Sequence, residues 1–187
     1  NDFPANFADH LHEKTEGHPL FIANLLQYLS ERGDIAKTNE HWSLERPLSE
    51  IELEAPESVR SMISRKIDNL SEEDRRTLQY ASVEGAEFLS TIVAELLGVD
   101  EVDVEERMAR LEKTHRLVVT RGEEELPDGS LGTRYRFAHA LYQNFLYGDL
   151  VNKRRMMLHK QVGEQLLNHY GRRAPQIASQ LALHFER

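Results

Sequence analysis

The chain has 187 residues, which is enough for one large or two small hydrophobic cores. Its formal net charge of −9 argues against a general affinity for nucleic acid or for an anionic membrane surface. It contains no cysteine, which excludes disulfides and thiolate zinc sites and fits a cytoplasmic protein, and no apolar run approaches membrane-spanning length.

Two helices joined by a tight turn are predicted at the amino terminus. Apolar spacing indicates a helix over about residues 5–15 and a second helix from Pro19 to about residue 32. Gly17 occupies the usual glycine position just past a helix, and proline is tolerated in a first turn. The spacing favours an ordinary helix–helix turn; the alternative is that the Pro19 ring presents a flat apolar surface to a planar ligand such as a nucleotide base.

Residues 34–55 lack helical periodicity, and the alternation around Trp42 predicts a short hairpin or an extended connector. A further helix is predicted from Pro56 to about residue 69. Ser71 and Asp74 then have the spacing of a capping box, which marks the start of a new helix. We therefore expect a helical subdomain over residues 1–70.

Three helices followed by two strands are predicted over residues 71–150. The helices fall at about residues 72–83, 88–97 and 101–114, and the strands at 117–120 and 135–137, on either side of a polar loop at Asp128 and Gly129. This is the order of a winged helix, a helix-turn-helix followed by a β-hairpin wing. The sequence thus predicts a mainly α chain with one winged-helix domain.

The charge of this block argues against direct DNA binding. Six acidic and four basic residues stand between Asp100 and Arg116, and the acidic ones crowd the amino-terminal end, where a recognition helix usually meets the bases. The predicted wing tip at 122–125 is also acidic. Each of these carboxylates would face phosphate repulsion.

His139 stands where an alternating strand pattern changes to helical spacing. The first N–H groups of a helix lack partners, so a histidine at this point could approach an anion that the helix N-terminus also favours. The alternative, which residue chemistry alone favours, is that His139 caps or packs the turn.

The last part of the chain, residues 151–187, is predicted to form a helical arm. Gly148 is expected to end the preceding helix, Asn152 to cap a helix over about 153–170, and Pro175 to open a final helix. Arg154 and Arg155 lie in a first turn, the unfavourable end for cations. They form either a solvated basic face, which is favoured, or an interdomain contact to an acidic surface.

Motifs for catalysis are missing from the sequence. It contains no phosphate-binding loop, no dinucleotide-binding glycine motif and no zinc-protease motif. Its nine histidines lack the spacing of metal ligands, so no metal site is predicted. We expect no catalysis by this chain alone. Because it starts at Asn1 and stops inside a helical pattern, we expect it to be a piece of a longer protein.

In this order the motifs resemble the region that follows the core ATPase domain in STAND-class signalling ATPases, which include bacterial AAA-like regulators of transcription. The stretch from Thr15 to Phe21 is similar to the G-x-P motif of the helical lid in this class. The stretch from Tyr135 to Leu141 is similar to the winged-helix motif whose histidine senses nucleotide. Residues 55–59 resemble the end of the lid, and 154–159 the start of a helical-repeat arm.

The resemblance implies a nucleotide-sensing, regulatory part of a cytoplasmic signal-transduction ATPase. Pro19, after Gly17, would pack on the adenine, and His139 would approach the β-phosphate of ADP. ATP or ADP with magnesium is expected in the parent protein, and no cofactor in the fragment alone. The implied partners are an upstream core domain of the same chain, downstream helical repeats and other proteins, with no membrane.

One departure from the motif of this class concerns Ala140, which stands where the plant and animal relatives have an aspartate.

Two other functions remain open. One is a DNA-binding winged-helix domain of a transcriptional regulator, and the other is a helical protein-interaction module without a ligand.

Overall fold

The computed structural model describes residues 3–4, 6–15, 17, 19–38, 41–48, 51 and 57–186. The chain divides into two compact units, Asn1–Arg65 and Lys66–Arg187. The described residues are mainly helical and form two small antiparallel sheets, which confirms the predicted fold class at that level. No described helix combines the length and the apolar character needed to cross a membrane.

The described residues of the first unit form two helices, a hairpin and the start of a third helix. These elements are α1 (Phe7–Thr15), α2 (Pro19–Glu31), β1 (Ile35–Thr38), β2 (His41–Leu44) and α3 (Glu57–Asp68), which continues into the second unit. The hairpin pairs Ile35 with Leu44, so the described part of 34–55 contains a short hairpin around Trp42. Its core includes the buried side chains Phe7, Leu25, Leu29, Ile35 and Ile51. Pro56, the predicted start of α3, lies outside the described residues.

The second unit is built from six helices and a three-stranded sheet with the strand order β3–β5–β4. Its elements are α4 (Glu72–Glu84), β3 (Glu87–Leu89), α5 (Ser90–Leu97), α6 (Glu101–Arg110), β4 (Val118–Glu125), β5 (Leu131–Phe137), α7 (Ala140–Asp149), α8 (Asn152–Tyr170) and α9 (Ala178–Phe185). A π-helical turn follows α6 at Leu111–His115, and a 3-10 helix precedes α9 at Gly171–Ile177.

The start of α4 confirms the predicted cap. Ser71 Oγ accepts a hydrogen bond from the Asp74 N–H at 3.0 Å. The Asp74 carboxylate, which the capping box would direct back to the start of the helix, accepts a hydrogen bond from Arg110 Nη2 on α6 at 3.0 Å. Asp74 thereby joins two helices of the second unit.

The predicted helix over 88–97 is wrong at its start, because Phe88 and Leu89 belong to β3. They pair with Tyr135 and Arg134 on β5. Both side chains are buried, at 0% and 1% exposure. Burial of an apolar run suits either a helix or a strand, so the distant partner strand decided the structure here.

The predicted helix over 101–114 changes from an α-helix to a π-helix at Leu111, and the wing is longer than predicted. Regular α-helix stops at Arg110, and Arg116 closes the π-helical turn in a left-handed conformation with φ of 51°. Both strands extend beyond their apolar residues, so 122–125, predicted as the wing tip, lies within β4. Antiparallel pairing satisfies backbone groups whatever the side chains, so polarity did not mark the strand ends.

Three predicted helix boundaries near the carboxyl terminus are also wrong. Gly148 does not end α7, which continues to Asp149. Asn152 is the first residue of α8, and Val151 occupies the cap position without a side-chain bond. Pro175 lies inside the 3-10 helix, and α9 begins at Ala178. Proline lacks an N–H donor but is tolerated in short 3-10 segments next to an α-helix, so Pro175 alone could not mark where α9 starts.

Candidate functional site

The turn between α1 and α2 has the backbone geometry that its sequence predicts. Gly17 has a φ of 72°, a left-handed conformation that favours glycine. Pro19 is the first residue of α2, and its ring is exposed. His18, between them, lies outside the described residues. An exposed proline ring at a helix start is available to a planar ligand, and that role stays a prediction.

His139 caps α7. Its backbone is extended, with φ of −154° and ψ of 141°, and the Leu141 N–H donates to its Nδ1 at 3.1 Å. The ring is only 2% exposed and meets the Tyr142 ring edge-on, with 6.5 Å between the centroids. A ring nitrogen that accepts a hydrogen bond carries no proton, so the proton of the neutral ring is on Nε2. This geometry matches the capping alternative, and the phosphate-sensing role stays a prediction.

Arg154 and Arg155 are half-buried against aromatic rings. The Arg154 guanidinium lies 5.1 Å from the centre of the Tyr80 ring, and that of Arg155 lies 5.2 Å from the centre of the Tyr147 ring. Arg155 also donates a hydrogen bond to Asn152 Oδ1. These cation–π contacts offset the unfavourable position of two cations in a first turn. An interdomain contact by either arginine stays a prediction.

The predicted site residues are divided between the two units. Gly17 and Pro19 belong to the first unit, whereas His139, Arg154 and Arg155 belong to the second. Within the second unit His139 caps α7, and the Arg155 guanidinium lies over Tyr147 on the same helix. The fold therefore brings both His139 and Arg155 into contact with α7, although nothing in their spacing indicates it.

A second histidine site, which sequence reasoning missed, surrounds His169 on α8. Its Nδ1 lies 2.7 Å from Asp128 Oδ2, and its Nε2 lies 3.0 Å from Glu95 Oε1. When the ring is protonated, both nitrogens donate to carboxylates. His169 thus connects the end of α8 to the β4–β5 loop and to α5. Its partners lie 41 and 74 residues away, so no local spacing could have revealed them.

Asp128 is fixed within its own loop as well. The Ser130 hydroxyl donates to its carboxylate at 2.7 Å, and the Ser130 N–H donates at 3.0 Å. These two hydrogen bonds, together with His169, lower the pKa of Asp128 to about 2. Asp128 is therefore ionised throughout the physiological range and provides a permanent negative partner for His169.

A buried chain of hydrogen bonds joins α7, α8 and α9. The Tyr147 hydroxyl lies 2.9 Å from His159 Nε2, and His159 Nδ1 lies 2.9 Å from His184 Nδ1. Both histidines are buried, at 2% and 1% exposure. One Nδ1 must donate and the other must accept, so the contact requires at least one ring to be neutral. No local spacing indicates this pair, since 25 residues separate its members.

Glu84, the last residue of α4, is a buried acid with a strongly raised pKa. The residue is 6% exposed, and the Leu89 N–H donates to its two carboxylate oxygens at 3.3 and 3.2 Å. Burial raises its pKa to about 8, against the opposing effects of the Leu89 hydrogen bond and the positive charge of Arg134. Glu84 is therefore mainly protonated at neutral pH.

Comparison of the sequence with protein-family models and with curated proteins finds no match. In the part of the chain that the structure describes, no group of three or more histidine, aspartate or glutamate side chains could hold a metal ion.

Proposed function

We propose that this chain is the nucleotide-sensing, regulatory part of a multidomain signal-transduction ATPase, in which it acts as a conformational switch. The order of elements in the second unit carries the proposal. Along the chain, the three helices α4, α5 and α6 are followed by the β4–β5 hairpin. The strand β3 lies between α4 and α5 in the sequence and pairs with β5 in the sheet. This order supports a winged-helix domain with a three-stranded sheet.

The position of His139 adds to this support. It lies two residues after the end of β5 and caps α7, which is where the resemblance to STAND-class ATPases places the sensing histidine. The Nε2–H of the neutral ring is a donor of the kind that can bind a phosphate oxygen. Because the ring is 2% exposed, contact with a β-phosphate requires local opening of the strand–helix junction. Such coupling between nucleotide and junction is what a switch needs.

In the parent protein, ATP or ADP with magnesium is held by a core domain that contributes the phosphate-binding loop. Pro19, after Gly17, packs on the adenine, and His139 donates to the β-phosphate of ADP in the resting state. Exchange of ADP for ATP releases both contacts and moves the winged helix. Arg154 and Arg155 face a neighbouring part of the parent protein, and this chain itself performs no catalysis.

Direct DNA binding is the less favoured use of such a domain. Helix α6 contains four acidic residues and two arginines, and β4 ends in three consecutive glutamates. Glu101 and Glu105 already accept hydrogen bonds from Ser90 and Thr133 on neighbouring elements. This acidic surface repels phosphates. A gel-shift titration with DNA at a stated salt concentration tests whether the chain binds DNA. Tight, salt-dependent binding would favour the DNA-binding alternative.

One observation favours a second candidate, a helical protein-interaction module without a ligand. The hydrogen bond from the Leu141 N–H to His139 Nδ1 gives this residue a complete structural role as a cap. If capping is its only role, nucleotide affinity in the parent protein does not depend on it. The two candidates therefore make opposite predictions for the same substitutions.

The test is calorimetric titration of ADP and ATP on the full-length parent protein. His139→Ala is expected to weaken ADP binding about ten- to a hundredfold, the loss of one charge-assisted hydrogen bond, and to weaken ATP binding less. His139→Asn is the matched control, because asparagine caps a helix well and yet lacks the reach of the imidazole. Loss of ADP affinity in both variants supports the sensor. An unchanged ratio of ADP to ATP affinity refutes it.

A further inference from the structure

The first unit contains a cavity of about 430 Å³ between α2 and the β1–β2 hairpin. Most of its lining is apolar. Ile35 is buried at 3% exposure, and Phe3, Leu26 and Trp42 are partly buried members of the same hydrophobic cluster. A volume of this size lies within the range of small-molecule sites, which are mainly apolar with a few placed polar groups.

Among the described residues that line this cavity, the polar side chains are on α2 and one of them is charged. Gln27, Ser30 and Glu31 are the polar residues among the described lining residues, and Glu31 alone of them is ionisable. Gln27 Nε2 donates to Glu31 Oε1 at 2.9 Å, which orients the carboxylate along the helix. A carboxylate has about four acceptor sites, so this bond leaves room for a further donor.

We propose that this cavity binds a small aromatic amine. The apolar lining buries an aromatic ring, and Trp42 in that lining offers an aromatic partner to an ammonium. The Glu31 carboxylate complements the positive charge. An anionic ligand of the same shape meets electrostatic repulsion at Glu31, and a neutral one loses the ion pair. Gly17 and Pro19 are not among the lining residues, so this site is separate from the proposed nucleotide contact.

The chain has a built-in reporter for this site, because Trp42 is its only tryptophan. The experiment titrates the chain with three probes of similar shape, 4-phenylbutylamine, 4-phenylbutanol and 4-phenylbutyrate, and follows tryptophan fluorescence and calorimetric heat. We expect saturable binding of the amine. The alcohol is expected to bind about two- to fivefold more weakly, as for the loss of one partly exposed ion pair, and the carboxylate more weakly still.

Three variants separate a specific site from general stickiness. Glu31→Gln is expected to weaken binding of the amine about two- to fivefold and to leave the alcohol unchanged. Ser30→Phe adds a ring to the cavity lining and is expected to weaken binding of every probe at least about tenfold, with an unchanged circular dichroism spectrum. Glu13→Gln is the matched control, since Glu13 is an exposed residue of α1 outside the lining. It is expected to bind all probes as the wild type does.

Several results overturn the proposal. One is equal affinity for the amine, the alcohol and the carboxylate. Another is an affinity for the amine that does not change in Glu31→Gln. A third is an affinity for the amine that falls in Glu13→Gln as much as it falls in Glu31→Gln. The last is the absence of saturable binding by both fluorescence and calorimetry up to millimolar probe. None of these results bears on the nucleotide-sensing proposal, which is tested on His139 in the parent protein.

Discussion

Glu84 is expected to make the chain less stable as the pH rises. Burial raises its pKa from the ordinary value of 4.5 to about 8 in the folded state. The unfolded chain then releases this proton at a lower pH than the folded chain does. A raised folded pKa means that its full stabilising contribution is present below about pH 4.5 and is lost as the pH rises through about 8.

The size of the effect follows from the same two values. Each unit of difference in pKa corresponds to about 1.4 kcal/mol, so the whole window amounts to about 4–5 kcal/mol. Between about pH 6 and about pH 9 the loss is about 2–3 kcal/mol, because part of the window lies below that interval. Glu84→Gln removes the titration and keeps an oxygen that can accept from the Leu89 N–H.

The assay is urea unfolding followed by far-ultraviolet circular dichroism on wild type and Glu84→Gln across this pH interval. The variant is expected to gain about 2–3 kcal/mol relative to wild type from about pH 6 to about pH 9. Glu87→Gln is the matched control, because Glu87 is exposed and only three residues away; it is expected to follow wild type. Parallel pH profiles for wild type and Glu84→Gln would show that burial of this carboxyl carries no such penalty.

Three further predictions concern single contacts. His139→Ala is expected to cost about 1 kcal/mol in thermal unfolding through the lost cap, and His139→Asn less than half of that. The folded pKa of Asp128 is lowered from 3.8 to about 2, so its stabilising contribution is present above pH 3.8 and is lost as the pH falls through about 2. Asp128→Asn should therefore reduce the dependence of the free energy of unfolding on pH over this acid range. Gly163→Ala would place a Cβ 2.6 Å from the Phe185 ring, so it is expected to loosen α9 in hydrogen exchange. Gly148→Ala, with nothing within 4 Å, should be neutral or stabilising.

The local chemistry of the sequence predicted much of the framework. The stripe of Leu158, Val162 and Leu166 is buried on α8, as its helical spacing indicated. Ser71 caps α4, and Gly17 adopts the left-handed turn ahead of Pro19. Such features depend on residues a few positions apart, and the physics of helix periods and helix ends acts over that range.

His139 shows where local reasoning reaches its limit. The change from strand to helical spacing located it at the start of α7, and the structure adds that its Nδ1 accepts from the Leu141 N–H. The sequence left open whether it caps or binds an anion. Geometry assigns the cap, and the phosphate contact stays a prediction.

Apolar periods and capping residues act within a few positions, and they predicted most of the helices, the β4–β5 hairpin and the Ser71 cap, although several helix boundaries were wrong. Long-range contacts placed Leu89 in a strand, kept Glu84 protonated through burial, and brought His169 between two carboxylates. The partners of His169 come from 41 and 74 residues away, and the strand that pairs with Leu89 begins 42 residues later. Contacts over such separations leave no periodic trace in the chain, since packing and burial alone bring those residues together.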